Sequence, residues 1–383
     1  MKLKDICEIN PRMQKIDDST EVSFVSMPSV SEDGKIDITD IRRYSDVKKG
    51  YTTFKENDVL FAKITPCMEN GKGAIARGLR NGYGCGSSEF HVLRSNDKAM
   101  PEWIYCLTSW QRFRKKAEKH MTGSAGQRRV PKQYLENYEI RLPELKVQAQ
   151  QVETLMHLRS IIDHRITEVR SFDELIKARF VELFGDSLKG DRKPLSEVAT
   201  ITGGLTKNSS RNTFETKMPY LRVANVFYNR LDLREILEIG VKEEEIEKTL
   251  LKAGDLLFVE GNGSIEQIGR VAIWDGSIDP MLHQNHLIKA RFNNEIITPE
   301  YALFYFMLQD GRQQIISKSV STSGLNTLSV NKVSGLLLPI PPIALQKQFG
   351  EFIKRAGKSK AAVQKSIDET QMLFDSLMQK YFG

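Results

Sequence analysis

Cysteine is scarce in this chain: Cys7, Cys67, Cys85 and Cys106 are four residues in 383. No two stand in a CxxC pair, so a zinc ribbon is not expected, and the thiols read as small apolar residues or free thiols in a reducing compartment. Long apolar runs are missing too. The longest, Tyr301 to Leu308, is far shorter than a membrane span. The opening residues MKLKDICEINPRM are charged and lack the apolar core of a secretion signal, so a cytoplasmic protein is expected. Motifs for several chemistries fail as well. There is no P-loop. Gly71-Lys72-Gly73-Ala74-Ile75-Ala76 fits GxGxxA, but no long helix follows it. Asn10-Pro11-Arg12-Met13 lacks the second proline and the aromatic ring with which an adenine methyltransferase motif stacks on a flipped base. His283 and His286 form an HxxH without further ligands nearby, so no metal site is expected.

What is present is an ordinary globular composition, 40% hydrophobic and 27% charged, with 56 basic against 49 acidic residues. A net charge of +7 suits a nucleic-acid partner without demanding one. The strongest signal is self-similarity. A shift of 198 residues carries Pro101-Glu102-Trp103 onto Pro299-Glu300-Tyr301, Arg114 onto Arg312, Gly126 onto Gly324, Gln148 onto Gln346, and Phe184-Gly185 onto Phe382-Gly383. Upstream the match is looser: Glu56 to Phe61 resembles Ala253 to Phe258, and Leu3 to Ile6 resembles Leu195 to Val198. This is duplication of a domain and the element that follows it.

Each copy opens with short strand-like runs punctuated by glycine and asparagine. These are Glu21 to Val25, Asp58 to Ile64 and Glu89 to Leu93, then Tyr220 to Val226, Asp255 to Val259, Arg270 to Trp274 and His286 to Phe292. A helical stretch follows, Glu102 to His120 and Glu300 to Lys318. Each copy then ends in about 40 residues of helix, a rod of about 60 Å. A heptad template puts Val152, Leu155, Ile162, Ile166, Val169, Ile176, Phe180 and Leu183 on one stripe, with Arg159 and Asp173 interrupting it. The second stripe is Phe349, Phe352, Ala356, Val363, Leu373 and Leu377. The predicted fold is α+β: two domains of mixed or antiparallel β with flanking helices, separated by two long helices forming an antiparallel coiled coil, with an internal pseudo-two-fold repeat. The expected boundaries are 1–142, 143–185, 186–340 and 341–383.

The duplicated plan, with Leu60-Phe61-Ala62-Lys63-Ile64-Thr65-Pro66-Cys67, Glu69-Asn70-Gly71-Lys72-Gly73, Thr122 to Val130 and Leu338 to Gln348, resembles the specificity subunits of type I restriction-modification systems. The resemblance implies a non-catalytic subunit whose two target recognition domains read a split double-stranded DNA sequence. It implies helices that carry two methyltransferase subunits for adenine methylation, and restriction subunits for ATP-dependent cleavage. S-adenosylmethionine, ATP and Mg2+ would be used by those partners, and no cofactor by this chain. An assembly scaffold that reads nothing, or a single-chain restriction or methyltransferase enzyme, are the competing functions.

DNA contact needs cations and free amides for phosphate, and forked or amide side chains for base edges. In the first copy Ser124, Gly126, Gln127, Arg128 and Arg129 qualify, as do Lys63, Thr65, Asn70 and Lys72. In the second the candidates are Arg222, Asn225, Asn262, Ser264, His283, Asn285, His286, Ser323, Gly324 and Asn326. A solvated loop or a structural hydrogen-bond cluster is the competing reading of each set.

Overall fold

The computed structural model describes residues 1–124, 126–322 and 324–383. The chain forms two compact units, one of Met1–Thr167 with Gln364–Gly383, the other of Glu168–Val363.

In the first unit a four-stranded antiparallel sheet takes the order Cys7–Ile9, Phe90–Ser95, Val59–Ala62, Gly73–Ile75. In the second unit Ala199–Gly203, Leu287–Phe292, Leu256–Val259 and Val271–Ile273 repeat that order. All four residues of Val59–Ala62 and of Leu256–Val259 are buried, as central strands covered on both faces require. A second sheet in each unit contains a parallel pair, Glu21–Val25 with Tyr83–Gly86 and Lys217–Leu221 with Leu282–His283. The expected strand Tyr220 to Val226 stops at Leu221 because Val223–Asn225 turns into a 3-10 helix.

The expected single helices each prove to be two. Pro101–Ser109 and Gln111–Glu118 are broken at Trp110, and Pro299–Met307 and Gln309–Lys318 at Leu308. Both breaking residues are extended, with ψ of 125° and 168°. The long helices run Leu145–Phe184 and Ile343–Phe382.

In each unit two helical segments pair antiparallel. In the first, Val152 and Leu155 share a core with Met378, while Arg165 donates to the Ser366 carbonyl (3.0 Å) and the Thr370 hydroxyl (2.6 Å). In the second, Phe180 and Phe184 pack on Phe349, and Asp173 pairs with Lys360 at 2.6 Å. The stripe needs correction in both helices. Ile166 is 36% and Leu373 50% exposed, whereas Leu158, Ile367 and Met378 are buried and were not on the template. A strict 3.5-residue repeat drifts by about 20° per heptad from a straight helix, enough to move the buried position by one residue.

Several of the residues that survived the duplication unchanged are polar anchors within each unit. Fully buried Gln148 accepts from the Met100 amide and donates to the carbonyls of Lys98 and Pro143, and Gln346 does the same with Thr298, Ile296 and Pro341. Arg114 reaches the carbonyls of Met68 and Lys72, and Arg312 those of Ile265, Glu266 and Ile268. Asp58 with Arg94 and Asp255 with Arg291 complete the set. Gln148→Leu would leave three partly buried backbone groups without their partner, so a stability loss of about 3 kcal/mol is expected, with a matching loss for Gln346→Leu. Urea unfolding of the two variants checks this; a loss below about 1 kcal/mol in both would contradict it.

Candidate nucleic-acid interface

Two candidate segments of the first unit come together. Thr122 and Arg129 close a hairpin whose turn contains Gly123 at φ +120° and Gly126 at φ +79°. A Cβ at Gly123 would lie 2.8 Å from the Gln127 carbonyl, so the turn needs glycine there. The returning strand lies against the segment that leaves the central sheet: Ile64 bridges Arg129, the Thr65 amide donates to the Arg128 carbonyl at 3.0 Å, and the Val130 amide donates to the Lys63 carbonyl at 2.9 Å. Ser124, Gly126 and Gln127 are exposed, and Lys63, Arg128 and Arg129 partly so.

The two arginines are held differently. Arg129 gives Nε and Nη2 to the two Glu89 oxygens at 2.9 and 2.8 Å, and Nη1 to the Gln127 carbonyl. That hydrogen bonding, with the charges of Arg129 and Lys63, holds the Glu89 carboxyl below its ordinary range. Arg128 comes no nearer than 3.9 Å to Glu118 and 4.0 Å to Glu69. The Thr65 hydroxyl donates to Glu69, and Lys72 donates to the Met27 carbonyl at 3.1 Å. Exposed Asn70 sits in the turn between them.

The second unit builds the same junction with other side chains. Gly261–Asn262, Leu325–Thr327 and Val320–Thr322 form a three-stranded sheet with Gly261 opposite Thr327 and Asn262 opposite Asn326. The Leu328 amide donates to the Glu260 carbonyl and the Glu260 amide to the His286 carbonyl, matching Val130 to Lys63 and Lys63 to Glu89. Lys63 and Glu89 correspond to Glu260 and His286, which pair at 2.8 Å with the acid now on the other strand. Glu89 and Glu260 were not anticipated from the sequence, although the charge exchange is legible once the copies are aligned. Asn262 accepts from the Ser264 amide, Ser264 from the Glu266 amide, and Gly324 is exposed at φ +80°. Ser323 lies outside the described residues.

Other candidates are placed differently. Arg222 pairs with Glu235 at 3.0 Å. Asn225 is buried, accepting from the Arg222 amide and donating to the carbonyls of Asp232 and Glu235, so it holds a loop and leaves the interface set. His283 leaves it for the same reason: it is fully buried in a strand, with Nδ1 2.8 Å from the Thr249 carbonyl. Asn285 is partly exposed.

Burial pushes both His283 and His91, whose Nε2 meets the Val130 carbonyl, down to about 4. Each unit therefore holds a neutral histidine that the unfolded chain protonates first. With folded values lowered from 6.5, this contribution is present above about pH 6.5 and is lost as pH falls toward 4. Going from pH 7 to pH 5 should cost about 2 kcal/mol per histidine. Denaturant midpoints at the two pH values test this, and equal stability at both would contradict it.

Among the described residues no group of three or more His, Cys, Asp or Glu side chains is placed to hold a metal, and no helix is long and apolar enough to cross a membrane.

Comparison with known proteins converges on one family. The family model described as "Type I restriction modification DNA specificity domain" matches residues 1–170 and again 191–370. The specificity subunit of the type I restriction enzyme EcoAI from Escherichia coli is 43% identical over 164 residues, 42% of this chain and 28% of that protein. The EcoEI specificity subunit, also from Escherichia coli, is 38% identical over 188 residues, 47% of this chain and 32% of that protein. The matched region is thus about a third of either relative's length. A chain from a structure addressing complex assembly and conformational transition of the type I R-M system has the same fold, with TM-score 0.59, 17% identity and coverage of 100% of this chain and 96% of that one.

Proposed function

The chain belongs to the type I restriction modification DNA specificity domain family, and on that premise we propose that it is the non-catalytic DNA-reading subunit of a type I restriction-modification complex. Residues 1–142 and 186–340 serve as target recognition domains, each reading one half of a split double-stranded target. The long helices within 143–185 and 341–383 carry two methyltransferase subunits, and restriction subunits join for ATP-dependent cleavage. S-adenosylmethionine, ATP and Mg2+ are used by those partners. The complex works in the cytoplasm on the host's own DNA.

One observation carries this reading. The duplication keeps the anchors Gln148 and Gln346, Arg114 and Arg312, and the backbone pairing of the hairpin junction, yet changes the side chains presented there. A frame held constant beneath varied polar tips is what two readers of two different sequences require. The test is binding of the chain, assembled with its methyltransferase subunits, to target and scrambled duplexes over a range of salt. The expected result is preference for the target by at least about 1000-fold, with affinity falling steeply as salt rises. Equal affinity for both duplexes would identify an assembly scaffold instead.

A further inference from the structure

The hairpin junction has a register that superposes between the units. In the first, the Thr65 amide bonds the Arg128 carbonyl beside the Ile64–Arg129 bridge; in the second, Asn262 pairs with Asn326 beside Gly261–Thr327. Residues opposite one another across antiparallel strands project from the same face, and neighbours along a strand from opposite faces. Arg128 and Asn326 therefore hold equivalent places, each with its cross-strand partner alongside. A two-stranded β-ribbon fits the major groove, where one face meets the base edges, and the hairpin strands that carry Arg128 and Asn326 supply such a ribbon at each junction.

We propose that this cross-strand pair is the base-reading position of each unit, with Arg128 taking a guanine in one half-site and Asn326, beside Asn262, taking an adenine in the other. The inference rests on the DNA-reading function proposed above and adds its specificity.

Three observations select these side chains. First, Arg129 has Nε, Nη1 and Nη2 all engaged within the protein, so it braces the hairpin, while Arg128 has no carboxylate within hydrogen-bond distance among the described residues. Second, among the described residues the Asn326 amide gives only long bonds, 3.4 and 3.3 Å, to the carbonyls of Asn262 and Gly263, which it can exchange for a base. Third, the charge around the pair differs in the matching sense. The first site has Lys63 and Arg129, the arginine paired with Glu89, and the second has Glu260 and Thr327 at those positions, the acid paired with His286, so the first keeps one more cation than the second. Guanine offers only acceptors, O6 and N7, to the major groove, which cations satisfy and a carboxylate repels. Adenine offers the N6 amino donor beside N7, which an amide side chain meets on both edges.

The experiment is the methylated motif formed in cells by the intact chain with its methyltransferase subunits, for the parent and for Arg128→Asn and Asn326→Arg. In the parent, one half-site should contain a guanine that Arg128→Asn relaxes or converts to adenine. The other half-site should contain an adenine that Asn326→Arg converts to guanine. Discrimination at each position should fall about ten- to hundredfold. Each variant should leave the other half-site unchanged, which also shows that it folds and assembles. Where a variant's methylation is too weak to give a motif, the same comparison is read from binding of the complex to duplexes carrying each of the four base pairs at that position. Unchanged preference in both variants, or both changing one half-site, overturns the assignment. A parent chain that specifies no motif overturns the DNA-reading function itself, and the inference with it.

Discussion

A chain ended after Gly185 is expected to form a symmetric dimer that, with methyltransferase subunits, methylates a palindrome of the first half-site. The cut removes residues 364–383, whose Met378 and Phe382 pack against Leu155 and Trp103 in the first unit. It also leaves Ile176, Phe180 and Phe184 without the core of the second unit. The 198-residue shift places Phe184 on Phe382, Phe180 on Met378 and Ile176 on Phe374. Residues 168–184 of one copy can therefore fill the position vacated in the other, and the exchange is mutual. Covering three large apolar side chains per copy gives on the order of 10 kcal/mol, which must offset an association cost of about 4–15 kcal/mol. The dimer should consequently be concentration dependent. Its weak point is Asp173, which loses Lys360 and takes the place of Gln371. Asp173→Gln should tighten it. Light scattering gives the mass, and a monomer at every concentration would contradict the shared geometry of the two helical segments.

Phe180→Ala should be the most damaging single truncation in the second unit, costing about 3–5 kcal/mol. The ring is fully buried, stacked at 5.6 Å and 11° on Tyr301, and edge-on to Phe349 and tilted against Phe184 at 5.3 and 4.9 Å. Four aromatic rings from three helices meet there, so the cavity cannot collapse without moving a helix. Denaturant unfolding should show the loss, whereas Leu373→Ala, at a side chain 50% exposed, should change stability by less than about 0.5 kcal/mol. Equal effects at the two positions would mean that the helical stripe has been misplaced.

That contrast marks what the sequence could disclose. The duplication, the α+β class and the two long helices were legible because they rest on identities at a fixed spacing and on local periodicity. The seam was legible only to within one residue: Ile166 and Leu373 fit a heptad template, but Leu158 and Ile367 fit the actual helix. The division at Trp110 leaves no proline or glycine to announce it, and the one at Leu308 only Gly311, where a Cβ would lie 2.3 Å from the Tyr305 carbonyl. At the interface, composition identified the basic turn at Gln127 to Arg129 but could not say which arginine is bound internally. That depends on Glu89, a partner 40 residues away. Asn225 and His283 misled for a related reason, since an amide or imidazole buried inside a fold has the same letter as one offered to a ligand.

The central claim is that two units on one chain read two halves of one DNA target. Sequencing the methylome of a host with and without this gene tests it most directly. The account predicts that one methylated motif disappears with the gene, and that it consists of two specific half-sites separated by a fixed number of unspecified base pairs. An identical methylome in both strains, or loss of a single contiguous motif, would contradict it.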